Sequence, residues 1–274
     1  APVDGARGRV IEAMRYVCLG GGKRLRPFLV WARARLFDVD EDQALRVGAA
    51  LEMVHCYSLI HDDLPAMDDS DLRRGRPSVH KAFDEATAIL AGDGLLTYAF
   101  EVLAAPATHA DAEVRVGLVA ALAQAAGAAG MVGGQMIDIA AERDALALDL
   151  QGISELQALK TGALIRFGCE AGAILGQASA ADRAALTGYA ADLGLAFQIV
   201  DDLLDALGDE TAIGKPVGQD AAMDKSTFVK LLGVEGARNR AEALAASACA
   251  RLDPYPETAE PLRSVARFVL TRTS

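Results

Sequence analysis

A chain of 274 residues with a net charge of −11 is long enough for one large core and repels both nucleic acid and anionic lipid surfaces. Alanine and leucine dominate, β-branched runs are short and aromatic residues make up 5%, so the propensities favour helix nearly throughout and an all-α fold follows. Cys18, Cys56, Cys169 and Cys249 lie far apart without a CxxC pair, and neither an uninterrupted apolar run of ~20 residues nor a signal-like opening is found; a soluble protein of the reducing cytoplasm, without membrane insertion, is expected.

In chain order, Gly/Pro punctuation at "GGGKRLRP" (20–27), "RRGRP" (73–77), "LAAP" (103–106) and "GKPVG" (214–218) separates roughly ten helical segments. No Pro/Ser-rich linker or shift in composition divides them, so one domain over 1–274 is expected. The first glycine stretch carries Lys23, Arg24 and Arg26, of which Arg24 faces either solvent or a structural carboxylate. A helix start follows at Asp40 with Gln43, at capping-box spacing.

The mostly apolar run "AALEMVHCYSLI" (49–60) then ends in five aspartates within residues 62–71, followed by Arg73, Arg74 and Arg76. A lone acidic run is often a solvated turn. Here an oily helix delivers paired carboxylates to its end, where cations or a metal must compensate them. His55, Ser58 and Asp62 stand at i, i+3 and i+7 on one helical face, while Pro65 forbids regular helix beyond, so a loop must bring Asp68 back toward Asp62. A single helical histidine is usually structural; its place on the acid-bearing stripe argues otherwise here. Asp69, Asp71 and Arg76 read as solvated or outlying and are left out of the site.

Further on, Ser154 with Gln157 repeats the capping-box spacing, and "KTGALI" (160–165) supplies Lys160. Leu186, Tyr189, Leu193, Phe197, Val200 and Leu204 recur at steps of three and four as a core stripe. Gln198, Asp201 and Asp205 form the stripe beside it, continued upward by Gly194, whose small size would leave room for a ligand. Two separated carboxylate clusters facing one cavity suit magnesium and a diphosphate, since magnesium takes oxygen ligands, keeps waters and shares phosphate oxygens. Surrounding lysines and arginines suit the remaining phosphate oxygens, and no compact His/Cys set for zinc appears.

"GGGKRLRP", "HDDLPAMDDSDLRRG", "KTGALI", "FQIVDDLLD" and "GKPVGQD", in that order and over nearly the whole chain, resemble the short-chain trans-prenyl diphosphate synthases, most of all the bacterial farnesyl diphosphate synthase type. The resemblance implies an isoprenoid-synthase bundle of about ten or more helices around a central cavity. It implies that Lys23, Arg26, His55 and Arg74 form a metal-free isopentenyl diphosphate site. Arg73, Lys160, Thr161, Gln198, Lys215 and Lys225 would surround the allylic diphosphate. Asp62 and Asp68, with Asp201, Asp202 and Asp205, would hold three magnesium ions, for which manganese can substitute. Catalysis would rest on Asp62, Asp68, Arg73, Lys160, Asp201 and Lys215. Ser70 departs from a run that is often wholly acidic in such proteins, but it follows the expected ligands.

The implied reaction is head-to-tail condensation of isopentenyl diphosphate with dimethylallyl or geranyl diphosphate, with the released diphosphate as proton acceptor, in a homodimer. Tyr57, with Ser58 beside it, stands where such proteins stop a fifteen-carbon chain; smaller residues there accompany longer products such as geranylgeranyl diphosphate. Alternatively Tyr57 only packs against a neighbouring helix. A terpene cyclase would need a different second metal motif and has no use for the isopentenyl diphosphate cations, and a catalytically silent partner subunit could dispense with the carboxylates present here.

Overall fold

The computed structural model describes residues 5–143, 148–207, 227–255 and 257–272; Lys215 and Lys225 lie outside them. Among the described residues the fold is all-α, as expected. The helices are α1 (Ala6–Cys18), α2 (Leu25–Ala34), α3 (Glu41–Asp62), α4 (Val79–Ala82), α5 (Glu85–Ala104), α6 (Ala112–Ala126), α7 (Met131–Arg143), α8 (Leu150–Lys160), α9 (Gly162–Leu175), α10 (Ala180–Leu207), α11 (Phe228–Ala250) and α12 (Glu260–Thr271). A two-stranded antiparallel hairpin, β1 (Leu72–Arg73) and β2 (Arg76–Pro77), interrupts them between α3 and α4.

Two long helices organise the packing. α3 starts at Asp40, whose carboxylate accepts from the Gln43 N–H at 3.2 Å, with Glu41 and Asp42 placed where the helix dipole favours negative charge. Its buried Val47, Leu51 and Val54 join residues of α1, α5 and α6 in one apolar cluster. α10 buries Leu186, Tyr189, Leu193 and Val200 in a second cluster with α11 and α12, while Phe197 and Leu204 of the same stripe are half-buried. Each fully buried side chain of this kind contributes about 1.5–3 kcal/mol relative to exposure.

α2 and α9 belong to both clusters. α2 gives Val30 to the first and Leu29 and Ala32 to the second; α9 gives Leu164 and Phe167 to the first and Ile165 and Cys169 to the second. Gly172 permits their contact, because a Cβ there would lie 2.5 Å from the Arg33 Cβ and 2.7 Å from the Ala34 nitrogen. This seam anchors the helix that begins within "GGGKRLRP".

Two expectations change. Ser154 is inside α8, donating to the Leu150 carbonyl at 2.7 Å, and Asp149 is the cap instead, accepting from the Gly152 N–H at 2.8 Å. Gly194 faces α9 rather than an open cavity: an added Cβ would lie 3.5 Å from the Gly162 Cα, an ordinary contact, so no room for a ligand is left there. In addition, the helical segments 85–104 and 112–143 are long and apolar enough, by composition alone, to cross a bilayer. Here the buried face of the first, with Ala88, Ala91 and Leu95, is part of the α3 cluster.

Candidate active site

The loop after α3 turns back as Pro65 requires. The Asp68 N–H donates to the Asp62 carbonyl at 2.8 Å, the Ser70 N–H to the Asp63 carbonyl at 3.2 Å, and Asp69 takes the left-handed conformation that closes the turn. Asp62 and Asp68 are thereby neighbours. Burial pushes the Asp62 carboxyl up to about 6; Lys160 and Arg73 oppose the rise, and Asp68 and Asp63 add to it. Such a carboxylate gains from any further cation that reaches it. Lys160, at the end of α8, is ion-paired with Asp138 of α7. Thr161 starts α9 directly after it.

Asp63, the immediate neighbour, has a different occupation. It is buried and accepts from Arg73 Nε at 2.9 Å through Oδ1 and 3.3 Å through Oδ2, a pairing that opposes the upward push of its burial. This fixes the start of the β-hairpin to α3 and aims Arg73 along the acidic rim.

The hairpin then meets the glycine-rich loop. Arg74 donates to the Gly21 carbonyl at 2.5 Å and lies against Gly22, where a Cβ would come within 2.6 Å of its Cζ; Gly22 also has φ +115°. No other residue type fits there without displacing the guanidinium. Arg76 stacks on the Tyr16 ring at 3.9 Å and the Tyr16 hydroxyl donates to the Pro77 carbonyl at 2.8 Å, so the hairpin is pinned to α1. Arg24 settles on the structural alternative: it pairs with the buried Glu52 of α3 and donates to the Cys18 carbonyl at 2.6 Å.

Arg24, Arg26, Arg73 and Arg74 thus converge on His55. Burial first, then these four charges, hold His55 well below the ordinary imidazole value, so the ring is neutral at pH 7. Burial also lowers the Arg26 guanidinium; Glu52 and Asp201 oppose that and Arg74 reinforces it. Its Nε is buried without a hydrogen-bond partner. Lys23, three residues before Arg26, is exposed. A dense cluster of cations around an orphaned buried donor favours the approach of an anion.

On α10, Asp201 is half-exposed and Gln198 is buried one turn earlier, with its Nε2 3.5 Å from Asp201 Oδ2. The Asp201 carboxylate acts on the Arg26 guanidinium, opposing the lowering caused by its burial. Asp202 points the other way: buried, it accepts from the Phe228 N–H at 2.7 Å and holds the start of α11. Asp205 is buried as well. Tyr57 is 7% exposed, with its ring edge-on to His61 at 5.7 Å and close enough to Asp62 to feel its charge, while the Ser58 hydroxyl bonds back to the His55 carbonyl at 2.9 Å.

The structure therefore brings Asp62, Asp68, Arg73 and Lys160 together at one rim, and Arg26, His55 and Arg74 together in a cationic cluster, while Asp202 is turned away to α11. Sequence reasoning passed over Asp63, Asp138 and Arg272. Asp63 is adjacent to a chosen residue, so its buried face was the signal available. Asp138 and Arg272 reach the site from 22 and 71 residues away from their partners, and no local spacing marks them.

The profile of the polyprenyl synthetase family matches residues 8–254. The chain is 44% identical over 277 residues to a farnesyl diphosphate synthase of Haemophilus influenzae, covering 99% of this chain and 92% of that relative. It is 48% identical over 234 residues to a farnesyl diphosphate synthase of Geobacillus stearothermophilus, covering 84% of this chain and 77% of the relative. Among solved structures, the apo form of an FPP/GFPP synthase from Zymomonas mobilis matches with a TM-score of 0.91 at 52% identity, over 98% of this chain and 91% of that one.

Proposed function

The chain belongs to the polyprenyl synthetase family, and from that premise we propose how its residues divide the work. It is a prenyltransferase that condenses isopentenyl diphosphate head to tail with an allylic diphosphate, giving farnesyl diphosphate and releasing diphosphate. The observation that carries the division is the cationic pocket, where the buried Arg26 Nε lacks a partner and His55 is kept neutral by arginines. Lys23, Arg26, His55 and Arg74 take the isopentenyl diphosphate there, without metal, since opposite charge and donors are already in place.

The allylic diphosphate belongs at the acidic rim, with Arg73, Lys160, Thr161 and Gln198 around it and Lys215 and Lys225 completing the set from outside the described residues. Asp62 and Asp68, with Asp201 and Asp205 of α10, would hold divalent ions, which we assign as three magnesium ions replaceable by manganese; Asp202, expected among them from the sequence, is instead bound to the Phe228 N–H at the start of α11. The donor set fits: the oxygens are hard, and among the described residues no three acidic, histidine or cysteine side chains enclose a site alone, so water and diphosphate supply the rest. Bound there, such ions supply electrostatic stabilisation of the departing diphosphate.

Lys160, held in place by Asp138, and Arg73, held by Asp63, add fixed positive charge on the same side. The C1–O bond of the allylic diphosphate breaks, the isopentenyl double bond attacks C1, and a proton leaves the condensed cation for the released diphosphate. No side chain of these motifs is placed as an obvious base. The pocket between holds the two substrates in line, which supplies much of the rate. A homodimer in the cytoplasm belongs to the same proposal, supported by the resemblance and by four free cysteines.

The fifteen-carbon product is supported by Tyr57, whose buried ring lies one turn below Asp62. Incubation with isopentenyl diphosphate and each allylic primer, followed by chromatography of dephosphorylated products, tests this. Wild type is expected to release farnesyl diphosphate and Tyr57→Ala to shift toward twenty carbons or more. A twenty-carbon product from wild type overturns the product assignment, and an unchanged product from active Tyr57→Ala places the floor of the pocket elsewhere.

A further inference from the structure

We propose that Arg272 is a positioning residue for the second acidic cluster: it pins one carboxylate oxygen of Asp201 and leaves the other for a divalent cation. The proposal rests on the reading of Asp201 as a cation ligand. Arg272 is the first residue beyond α12, where the backbone turns extended and sends the side chain back into the protein rather than outward. Its side chain is 2% exposed, against 46% for Asp201. Nη2 donates to Asp201 Oδ1 at 2.7 Å and to the Phe197 carbonyl at 2.8 Å, and the guanidinium lies over the Phe197 ring at 3.9 Å.

Phe197 and Asp201 are one turn apart on α10, so a single planar group grips the ring, the carbonyl and the carboxylate of the same helical face. The stacked ring sets the guanidinium plane, and the plane sets the direction of the N–H toward Oδ1. A lysine ammonium has neither the plane nor the stack. Among the described residues Oδ2 is held only by the Gln198 amide, at 3.5 Å, so the carboxylate presents that oxygen singly. Arg272 also keeps its Nε buried without a partner. Burying a guanidinium while leaving one donor unmet is costly, and simple anchoring of α12 does not require it: apolar contacts of Leu262, Val265 and Val269 already join that helix to the α10 cluster.

Partners that orient a metal-binding carboxylate typically change metal affinity by about 10–100-fold when removed. Manganese is the probe, titrated in the presence of inorganic diphosphate and followed by the loss of its free-ion magnetic resonance signal, with thermal unfolding measured alongside. Arg272→Met, which conserves bulk and the contact with Phe197, is expected to weaken manganese binding about tenfold or more while remaining folded; Arg272→Lys is expected to recover only part of it. Asp201→Asn serves as the reference. If Asp201→Asn weakens binding and folded Arg272→Met binds manganese as well as wild type or better, the arginine only anchors or repels, and the proposal fails while the ligand reading stands. If Asp201→Asn itself binds as wild type does, the ligand reading fails and the proposal with it. Should Arg272→Met not fold, Phe197→Leu, which removes the stacked ring alone, is expected to weaken binding in the same direction, and unchanged affinity there overturns the proposal.

Discussion

At the end of α3, burial, and after it the carboxylate of Asp68 across a tight loop, pushes Asp62 up to about 6, whereas on α10 Asp201 is gripped by a buried arginine. Their immediate neighbours differ in the same way: Asp63 takes the guanidinium of Arg73, and Asp202 takes a backbone N–H at the start of α11. Both clusters read "DD" in the sequence. The helix face and the partner that reaches it decide what each carboxylate is for, not the residue type. The first cluster carries its negative charge under tension, and the second carries it already compensated.

The largest effect expected from this contrast is one the two clusters share. If both complete one cation site, Asp62→Ala and Asp201→Ala each lower turnover by orders of magnitude with the helical fold retained, since several kcal/mol of transition-state stabilisation are lost. Steady-state rates beside circular dichroism measure this. Near-normal turnover in one variant would remove its cluster from the site and end the symmetry.

Stability without divalent ions should then separate the clusters by sign. The folded Asp62 carboxyl titrates at about 6, above its unfolded value of 3.8, so its contribution to stability is present below 3.8 and lost as pH rises through about 6. Asp62→Asn should therefore raise stability at pH 7.5 by roughly 1–3 kcal/mol, with the advantage gone below about pH 4. Asp201→Asn should do the reverse and cost about 1–2 kcal/mol, because Arg272 is left buried without its counter-charge; the half-exposed position of Asp201 limits the loss through solvent screening. Denaturant titrations in a chelator decide it, and equal signs for the two variants would sink the contrast.

Much of this site could be read from spacing because it is local. Asp40 caps α3 as its capping-box spacing suggests, and Leu186, Tyr189, Leu193 and Val200 are buried as the period of their stripe demands, with Phe197 half-buried among them. His55 and Asp62 share a helix face, and Pro65 forces the loop that returns Asp68. Where two local signals competed, spacing was not enough: Ser154 and Gln157 have the right interval, but Asp149 has the extended backbone and wins the cap. The ion pairs that sort the carboxylates join distant parts of the chain. Arg272 meets Asp201 and Lys160 meets Asp138 only because α12 and α7 fold back, and no periodicity within a helix records that.

Asp202 offers the smallest and most discriminating change. Its Oδ2 accepts the Phe228 N–H at 2.7 Å in a buried setting, while the α11 cap proper, Thr227, serves the Lys230 N–H at 3.1 Å. Asp202→Asn keeps a carbonyl oxygen to accept the Phe228 N–H and removes only the charge. A charge-assisted bond becomes a neutral one, which costs about 1 kcal/mol or less. If the carboxylate stays with α11 during turnover, the rate should remain within about tenfold of wild type, far from the loss expected for Asp201. A collapse of turnover matching Asp201→Ala, with stability nearly unchanged, would mean that Asp202 leaves Phe228 and swings into the cation site. The two adjacent aspartates would then act as a pair, and the difference in their partners would belong to the substrate-free protein alone.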